Sequence, residues 1–304
     1  MWQALRPVVR MKLNRLHPYG FIFMAVLFAG CARAHVVPTP ARAPAIEMPG
    51  AILRKVPGVT VPITIAPASP VIPTEEELEY RISWWGVPVA NAILRSVPVA
   101  AEDPLRQQLP LEDQQTRNLV KLTIQARSNS YLEAFYPVRV ELTSLMDSDA
   151  RSPRRFQASV KRRWRAHESI ITFDMEKRVA FHRLPKGRTV TVSIQPTTQD
   201  GLSLLYYVRT IPFEVGQEVP LEVSADGKNW SLNGRILRTG TVELKELGSW
   251  PAVEGQVQLA YPVPFFHGAK AHVWFSADAQ RIPLLARIRS RIGPVSVVLT
   301  RCRR

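Results

Sequence analysis

The sequence predicts an all-β protein: one large antiparallel sheet that forms a barrel or a strongly curved half-barrel, with one or two short helices. The first observation is a period of two in the apolar residues, which begins near residue 75 and recurs along most of the remaining chain. The second is the spacing of turn signals, which divides that stretch into short segments. The third is the scarcity of helical periodicity, because parallel strands need long crossovers that are usually helical. A sheet of this size must also close or cover its edges, which favours a barrel-like shape.

The strand pattern is clearest where this region begins. Residues 78–84 place apolar side chains on one face and polar ones on the other, and residues 87–97 follow Gly86 as the second strand of a hairpin. Further strands are expected at 120–126, 138–143, 154–164, 168–173, 178–184, 189–194, 218–224, 229–237, 240–247, 256–261, 269–275, 284–291 and 294–299. Turns are expected at Pro185-Lys186-Gly187, Asp226-Gly227 and Ser276-Ala277-Asp278.

Two stretches have helical character. Residues 129–135 are expected to form a short turn of helix. Residues 200–208 begin with Asp200 at an N-cap position and carry three apolar residues on one face. Residues 98–115, which are rich in proline, glutamine and charge, are expected to form a long loop.

The N-terminus has the layout of a secretory signal peptide. A basic segment, residues 1–15, precedes an apolar run at 21–28, small residues and then Cys31. The apolar run is shorter than the ~20 residues that a membrane-spanning helix needs, so we do not expect a permanent transmembrane anchor. Residues 1–30 are therefore predicted to be a cleaved lipoprotein signal peptide.

The residues that end at Cys31 resemble the bacterial lipobox, in which the cysteine is lipidated and becomes the first residue of the processed chain. Phe28 departs from that pattern, which prefers leucine, and the alternative is an ordinary signal peptide with a chance cysteine at its cleavage site. Either Met1 or Met11 can be the start. Ala32 follows the cysteine, and resemblance to enteric lipoproteins then implies lipid anchoring in the outer membrane, facing the periplasm.

Residues 31–74 are predicted to be the lipidated cysteine and a proline-rich tether, and residues 75–304 to be the β domain. Prolines recur every few residues between positions 38 and 73, and each removes a backbone donor and disfavours helix. Such a segment forms an extended spacer with a rise of about 3.1 Å per residue. The alternative is an arm that packs back on the domain through residues 59–65.

The chain is strongly basic. It has 40 Lys+Arg against 25 Asp+Glu, a net charge of +15, and removal of the four basic residues that precede Cys31 leaves +11. A charge of this sign favours anionic partners. An exported protein does not meet nucleic acid, so anionic lipid, lipopolysaccharide, acidic glycan or an envelope protein is the expected partner, besides the membrane reached through the lipid anchor. We expect no cofactor.

A series of motifs resembles the family catalogued as domain of unknown function 3108. In chain order the motifs are ELEYRISWWGVP (77–88), YPVR (136–139), FD (173–174), DGLSLLYYVR (200–209) and WFS (274–276). The similarity spans about residues 75–299. The resemblance implies an exported bacterial protein, often a lipoprotein, with a large antiparallel β structure, and it implies no particular activity.

Basic stripes and aromatic residues are the candidate ligand contacts. Arg287, Arg289 and Arg291 alternate with smaller residues, so we expect them on one face of a strand. A second basic group is expected to gather around another hairpin and comprises Arg151, Arg154, Arg155, Lys161, Arg162, Arg163 and Arg165. Guanidinium groups suit phosphate and carboxylate, and the alternative for both groups is a solvated outer face. The residues predicted to contact a ligand are Arg287, Arg289, Arg291, Arg162, Arg163, Trp84, Tyr206 and Arg209.

No catalytic constellation stands out in the sequence. A nucleophile elbow, a paired-histidine zinc motif and a phosphate-binding glycine loop are absent from it. Asp174 and Asp200 are better explained as turn and helix-start residues than as catalytic carboxylates. His267 and His272 have no third ligand at metal-binding spacing, so we expect no metal site. Cys302 has no partner once the N-terminal cysteine is lipidated.

These observations favour a non-enzymatic cell-envelope lipoprotein whose β domain binds an anionic amphiphile, a glycan or an envelope protein. The alternative is a purely structural or protein-interaction module of the periplasm, with the tether setting its distance from the membrane. An uncharacterised enzyme ranks third. An open apolar interior favours a carrier, whereas a filled interior favours a scaffold.

Overall fold

A computed structural model describes residues 63–116, 118–134, 136–163, 165–184, 187–258, 269–290 and 293–304. The predicted signal peptide, Cys31 and the first part of the tether lie outside these residues. The strands are β1 (Glu76–Trp84), β2 (Val87–Pro98), β3 (Leu119–Ser128), β4 (Val138–Asp147), β5 (Ser152–Arg162), β6 (Arg165–Asp174), β7 (Val179–Arg183), β8 (Thr189–Ser193), β9 (Glu218–Ala225), β10 (Lys228–Leu244), β11 (Gly248–Gln258), β12 (Lys270–Ser276), β13 (Pro283–Ser290) and β14 (Gly293–Arg303). The helices are α1 (Leu111–Thr116), α2 (Ser130–Glu133) and α3 (Ser203–Arg209), with a 3-10 turn at Arg106–Gln108.

All of these strands belong to one sheet, in which neighbours along the chain are also neighbours in space. The strand order is β8-β7-β6-β5-β4-β3-β2-β1-β14-β13-β12-β11-β10-β9. The first and last strands therefore lie side by side at the centre, with Leu78 opposite Cys302. Every ladder between adjacent strands is antiparallel, which confirms the predicted fold class.

The two edge strands, β8 and β9, approach each other. The imidazole of His182 on β7 is fully buried, hydrogen-bonds the Ser224 hydroxyl on β9 over 3.0 Å and accepts from the Gly227 amide over 3.1 Å. The side chain of Asn229 donates to the Ser193 carbonyl of β8 over 2.6 Å. Side chains therefore join the two edges, and the sheet takes a barrel-like shape.

The interior is occupied by side chains from both halves of the sheet and by α3. One apolar cluster joins Leu78 and Phe156 from one half to Val242 and Trp274 from the other. Tyr206, in the middle of α3, is fully buried in this cluster. The interior is therefore filled around α3.

The two predicted helices start at capped residues. The side chain of Asn129 accepts from the Leu132 amide over 3.0 Å at the start of α2. The carboxylate of Asp200 accepts from the amides of Leu202 and Ser203 over 2.7 and 2.8 Å before α3, a role that its predicted N-cap position explains. The short helix α1 lies inside the predicted loop and was not expected. None of the helices in the described part of the chain is long and apolar enough to cross a membrane.

Residues 63–72 lie against the domain and form what we call the arm. Ile63 and Ile65 pack against a second apolar cluster of the sheet. The Ala66 amide donates to the Ala277 carbonyl over 2.9 Å. Residues 63–65 belong to the packed arm that the sequence left open as the alternative at 59–65, whose first four residues lie outside the described part of the chain.

The alternation misleads in one region, around β10 and β11. It predicts two strands at 229–237 and 240–247, whereas β10 runs through both and its ladder to β11 shifts register around Leu237. An extra residue in one strand reverses the alternation without ending the strand, which explains the false break. Most of β11 is missed because Pro251 argues against a central strand. The proline is tolerated because the ladder between β11 and β12 covers only Ala252 to Gln258, so Pro251 lies just outside it.

Candidate functional site: a basic and aromatic rim

The hairpin connections that follow β1, β3 and β5 lie at the same end of the sheet, because alternate turns of an antiparallel meander share an end. We call this end the distal rim and define it by residues 84–88, 127–134, 136–139, 161–163 and 165. The arm contacts the connection between β12 and β13, which lies at the opposite end of the sheet.

Three basic residues form a row across adjacent strands at the distal rim, which we call the basic row. Arg127 on β3 lies opposite Arg139 on β4, and Arg139 lies opposite Lys161 on β5. All three residues are exposed. Directly opposed residues are separated by about 4.5–5.5 Å, and like charges at that spacing reduce stability. Glu133 lies 3.1 Å from Arg139 and offsets one charge, so the row keeps a positive excess.

The β5–β6 turn extends this positive surface. Arg163 and Arg165 are exposed, and Arg163 has a left-handed backbone with φ of 25°. Arg162 is buried instead and hydrogen-bonds Tyr136. Burial raises the pKa of the Tyr136 hydroxyl, and the Arg162 guanidinium opposes that rise. Of the two predicted contacts in this turn, Arg163 therefore faces solvent and Arg162 supports the turn from beneath.

Large apolar side chains are exposed beside the basic row. Tyr131 on α2 is 81% exposed, Val87 is 61% exposed and Trp85 is 50% exposed. Asn129 joins the two loops that carry them, because its side chain donates to the Pro88 carbonyl over 2.6 Å. The distal rim therefore combines positive charge with exposed apolar area, as an amphiphile-binding surface requires.

The two tryptophans of the β1–β2 turn differ in exposure. Trp84, a predicted ligand contact, is half-buried at the end of β1, whereas Trp85 projects from the turn. Gly293 lies directly against Trp85 with φ of 120°, and a Cβ at that glycine would overlap the indole ring. The glycine therefore lets the Trp85 ring lie against the start of β14.

The arginines of the stripe predicted on β13 differ in exposure. Arg289 is exposed at the same end as the distal rim and lies opposite Pro294. Arg287 is half-buried, with its guanidinium 5.6 Å from the centre of the Trp274 ring. Burial lowers the pKa of Arg287, and the nearby Glu254 acts in the other direction. Arg291 lies outside the described residues.

Tyr206 and Arg209 lie in the core. Two guanidinium nitrogens of Arg209 donate to the Glu76 carboxylate over 2.7 and 2.8 Å, and its Nε donates to the Gln280 carbonyl over 3.0 Å. Burial alone would lower the pKa of Arg209, but Glu76 raises it above its ordinary value. Burial also raises the pKa of Tyr206, whose ring centre lies 5.0 Å from the Arg209 guanidinium. Arg209 therefore ties α3 to Glu76 on β1 and Tyr206 packs in the core, so both lie away from the surface where a ligand contact was expected.

The second basic group does not gather at one hairpin. Arg151, Arg154 and Arg155 lie at one end of β5, and the remaining members lie at the other end. Lys161 lies six residues beyond Arg155 along β5, so the two groups are separated by roughly 20 Å at ~3.3 Å per residue. Arg154 is buried and pairs with Asp147 over 3.0 Å, so it belongs to the core.

Other polar residues that could do chemistry serve the structure. Asp174 closes the turn after β6, and Asp200 caps α3. The Nδ1 atom of His272 lies 2.7 Å from the buried carboxylate of Glu254. Across the residues that the structure describes, no three His, Cys, Asp or Glu side chains form a metal-binding group. His267 lies outside those residues.

Several rim residues are not among the residues predicted to contact a ligand, namely Arg127, Arg139, Trp85, Val87 and Tyr131. Hairpin register could have found the first two, because residues equidistant from the β3–β4 connection lie opposite each other. No comparable pattern in the sequence predicts that the three apolar rim residues are exposed, since their hydropathy favours a position in the core.

Comparisons with known proteins agree with this fold and name no activity. Residues 79–300 match the family model described as "Protein of unknown function (DUF3108)". A comparison with curated proteins finds no match. One similar solved structure is that of a β-barrel-like protein of domain of unknown function DUF1849 from Brucella abortus, with a TM-score of 0.51 at 9% identity over 77% of this chain and 98% of that one. At this identity the similarity concerns the fold alone.

Proposed function

The chain belongs to the family of proteins of unknown function DUF3108, and we propose that it is an exported envelope lipoprotein whose distal rim binds a surface of anionic amphiphiles. Lipid attachment at Cys31 would hold it to the outer membrane, facing the periplasm. The ligands proposed for the rim are the phosphate-bearing head groups of anionic lipid or lipopolysaccharide. The observation that carries the proposal is the basic row beside exposed aromatic residues.

The basic row is the kind of arrangement that folding alone disfavours. Like charges directly opposite each other on neighbouring strands destabilise a sheet. Natural proteins break such local rules mainly where function requires it. A layer of phosphate groups would relieve the repulsion within the row, so an anionic surface is the partner that best explains it.

The expected strength of the rim contact is modest. Near an anionic membrane each Lys or Arg contributes about 1 kcal/mol, so the five exposed basic side chains of the rim, less the one that Glu133 offsets, contribute about 4 kcal/mol. That free energy corresponds to a Kd near 1 mM. Because screening limits the attraction to ~8 Å at physiological salt, the head groups must touch the rim. The lipid anchor raises the effective concentration into the millimolar range, where such weak contacts become occupied.

The positions of the arm and the distal rim at opposite ends of the sheet favour contact of the rim with a surface other than the membrane that holds the anchor. The arm enters the domain at the end opposite the distal rim, and a strand such as β4, with 10 residues, spans roughly 30 Å. A tether over residues 31–62 could add up to ~100 Å if it is extended. An anchored chain would therefore present its rim away from the membrane that holds it.

The filled interior separates this proposal from its nearest alternatives. Since α3 and its neighbours occupy the interior, carriage of a lipid there has less support than binding at the outer surface. The same observation favours the second candidate, a structural or protein-interaction module. An acidic glycan could use the same arginines and stack its sugar rings on Trp85 and Tyr131, whereas the exposed aliphatic side chain of Val87 suits an acyl chain better.

A vesicle-capture experiment tests the proposal. The full chain, lipidated and anchored in neutral phosphatidylcholine vesicles, is mixed with fluorescent vesicles that contain phosphatidylglycerol or lipopolysaccharide. We expect capture of the anionic vesicles, weak capture of neutral ones, and release as salt is raised. Replacing Arg127, Arg139 and Lys161 by glutamine removes about 3 kcal/mol of attraction and should weaken capture roughly a hundredfold.

The matched control changes the same charge at the opposite end of the sheet. Replacing Arg301, Arg303 and Arg304 by glutamine also removes three exposed positive charges, and capture should change little. Equal loss of capture in the two triple variants would refute a role for the rim. Failure to capture anionic vesicles, with crosslinking of one stoichiometric protein, would support the interaction module instead.

A further inference from the structure

We infer that Arg281 is the centre of a second, buried anion site, which takes a small anionic head group on an aliphatic chain, such as a carboxylate or an alkyl phosphate. Arg281 lies in the connection between β12 and β13. This connection is at the opposite end of the sheet from the distal rim. The inference therefore stands on different residues from those of the proposed surface.

The guanidinium of Arg281 is buried with too few acceptors. The residue is 1% exposed. Its Nη2 donates to the Ala66 carbonyl over 3.0 Å, whereas Nε and Nη1 have no hydrogen-bond partner among the described residues. A guanidinium carries five N–H donors, so most of the donors of this group are unused. Buried charges are normally paired, because an unpaired one costs much stability.

The nearest acid in the turn does not supply the missing acceptors. Asp278 is exposed, and its Oδ1 accepts from the Ser276 hydroxyl over 2.7 Å and from the Arg281 amide over 3.2 Å. Burial lowers the pKa of Arg281, and the charge of Asp278 opposes that change. Of the three other buried arginines, Arg154 and Arg209 each bind a buried carboxylate, and Arg162 hydrogen-bonds the Tyr136 side chain. Arg281 forms no ion pair with a carboxylate among the described residues. Arg281 therefore differs from the arginines that serve packing.

The surroundings of Arg281 suit an aliphatic chain. Its guanidinium lies 4.1 Å from the centre of the Phe213 ring, which packs edge-on against Phe275 at 5.5 Å. These rings belong to the second apolar cluster, with Ile236 and Val253. A ligand with its charged head at Arg281 would extend its tail along this cluster.

The arm occupies this site in the structure. Ile63 and Ile65 pack against the second apolar cluster, and the Ala66 carbonyl oxygen stands where one oxygen of a carboxylate would bind Arg281. A ligand would therefore compete with the arm, its tail replacing the isoleucines and its head replacing the carbonyl. Ligand binding and release of the arm are coupled in this arrangement.

Calorimetric titration tests the site with defined probes. The full chain carrying Cys31→Ala, which cannot be lipidated, is titrated with laurate below its micelle concentration, with dodecyl phosphate and with uncharged dodecanol. We expect one laurate per chain, binding of dodecyl phosphate, and at least roughly tenfold weaker binding of dodecanol. Arg281→Met should weaken laurate binding roughly tenfold to a hundredfold, because a charge-assisted hydrogen bond is lost.

Two further variants separate ligand binding from folding. Replacing Ile63 and Ile65 by serine loosens the competing arm and should strengthen laurate binding, whereas Arg188→Met, at an exposed arginine that belongs to neither proposed site, should not change it. Arg281→Met should leave the melting temperature unchanged or higher, since it removes an unpaired buried charge. If this variant does not fold, Arg281→Lys keeps the charge with fewer donors and should keep part of the affinity.

The inference is overturned by any of four results: no laurate binding by the parent, equal binding of laurate and dodecanol, undiminished binding by Arg281→Met, or a lower melting temperature for Arg281→Met. A lower melting temperature for Arg281→Met would show that the residue only clamps the arm. Vesicle capture at the distal rim should be the same in Arg281→Met and the parent. The two proposals can therefore fail separately.

Discussion

The ion pair between Glu76 and Arg209 should contribute more to stability than any exposed pair of the domain. Glu76 begins β1 and Arg209 ends α3, and both side chains are 1% exposed. The two terminal nitrogens of the Arg209 guanidinium donate to the Glu76 carboxylate, and its Nε donates to the Gln280 carbonyl. The change we consider is Glu76→Gln, which keeps the shape of the side chain and removes its charge.

The expected loss follows from the burial of the pair. At a separation of 2.7 Å and an effective dielectric constant of about 20, the gross attraction is about 6 kcal/mol. Desolvation of both groups offsets much of this in the parent. In Glu76→Gln the Arg209 charge stays buried without its partner, and the cost of such an orphaned charge is about 3–5 kcal/mol. Combining Glu76→Gln with Arg209→Met removes both charges and should recover most of that loss.

Denaturant unfolding of the full chain, followed by circular dichroism, measures these free energies. The matched control is Glu79→Gln in the neighbouring pair with Arg301, whose side chains are 33% and 55% exposed and whose N–O distance is 3.3 Å. Exposed pairs contribute about 0–1 kcal/mol, so the control should lose little. The reasoning is refuted if Glu76→Gln and Glu79→Gln lose similar stability, or if the double variant is no more stable than Glu76→Gln.

Two other predictions concern the buried contact of His182 with β9 and the contact of Gly293 with Trp85. Burial lowers the pKa of His182 from its usual 6.5 to about 4, so the unfolded chain binds the proton first as the pH falls. The free energy of unfolding should therefore fall by roughly 3 kcal/mol as the pH is lowered from 6.5 to 4. Unfolding midpoints measured across this range should fall less in His182→Gln than in the parent. An identical fall in both proteins would contradict the assignment. Gly293→Ala should cost more than about 1 kcal/mol, because its φ is 120° and its Cβ would overlap Trp85. Gly240→Ala, where nothing lies within 4 Å of the new Cβ, is the control, and equal unfolding free energies in the two variants would exclude this explanation.

The features that the sequence predicts correctly are local. A period of two, a turn residue such as Gly86 and a cap such as Asp200 each depend on a few neighbouring residues. Most strand positions, both predicted helices and the antiparallel fold class follow from such signals. The false break in β10 has a local cause too, since one extra residue at Leu237 changes the face of every residue beyond it.

The roles of single charged residues could not be predicted in the same way. Arg209 ends a short helix and looks available for a ligand, yet its partner Glu76 lies 133 positions away along the chain. The basic row needs the register of two hairpins before Arg127, Arg139 and Lys161 come together. Composition could therefore predict a basic protein with an anionic partner, but not which arginines face that partner.

The domain uses its arginines in two ways, and the two uses should separate in experiments. Buried acids such as Glu76 and Asp147 form ion pairs with buried arginines. The net charge of +15 over the full sequence therefore comes largely from basic residues outside such pairs, and the basic row is one place where they are concentrated. Neutralising the basic row relieves repulsion, so stability should hold or rise while vesicle capture falls. Neutralising Glu76 should do the reverse, lowering stability while the folded protein still captures vesicles. A surface whose charges reduce stability and support binding is difficult to explain as a solvated face alone.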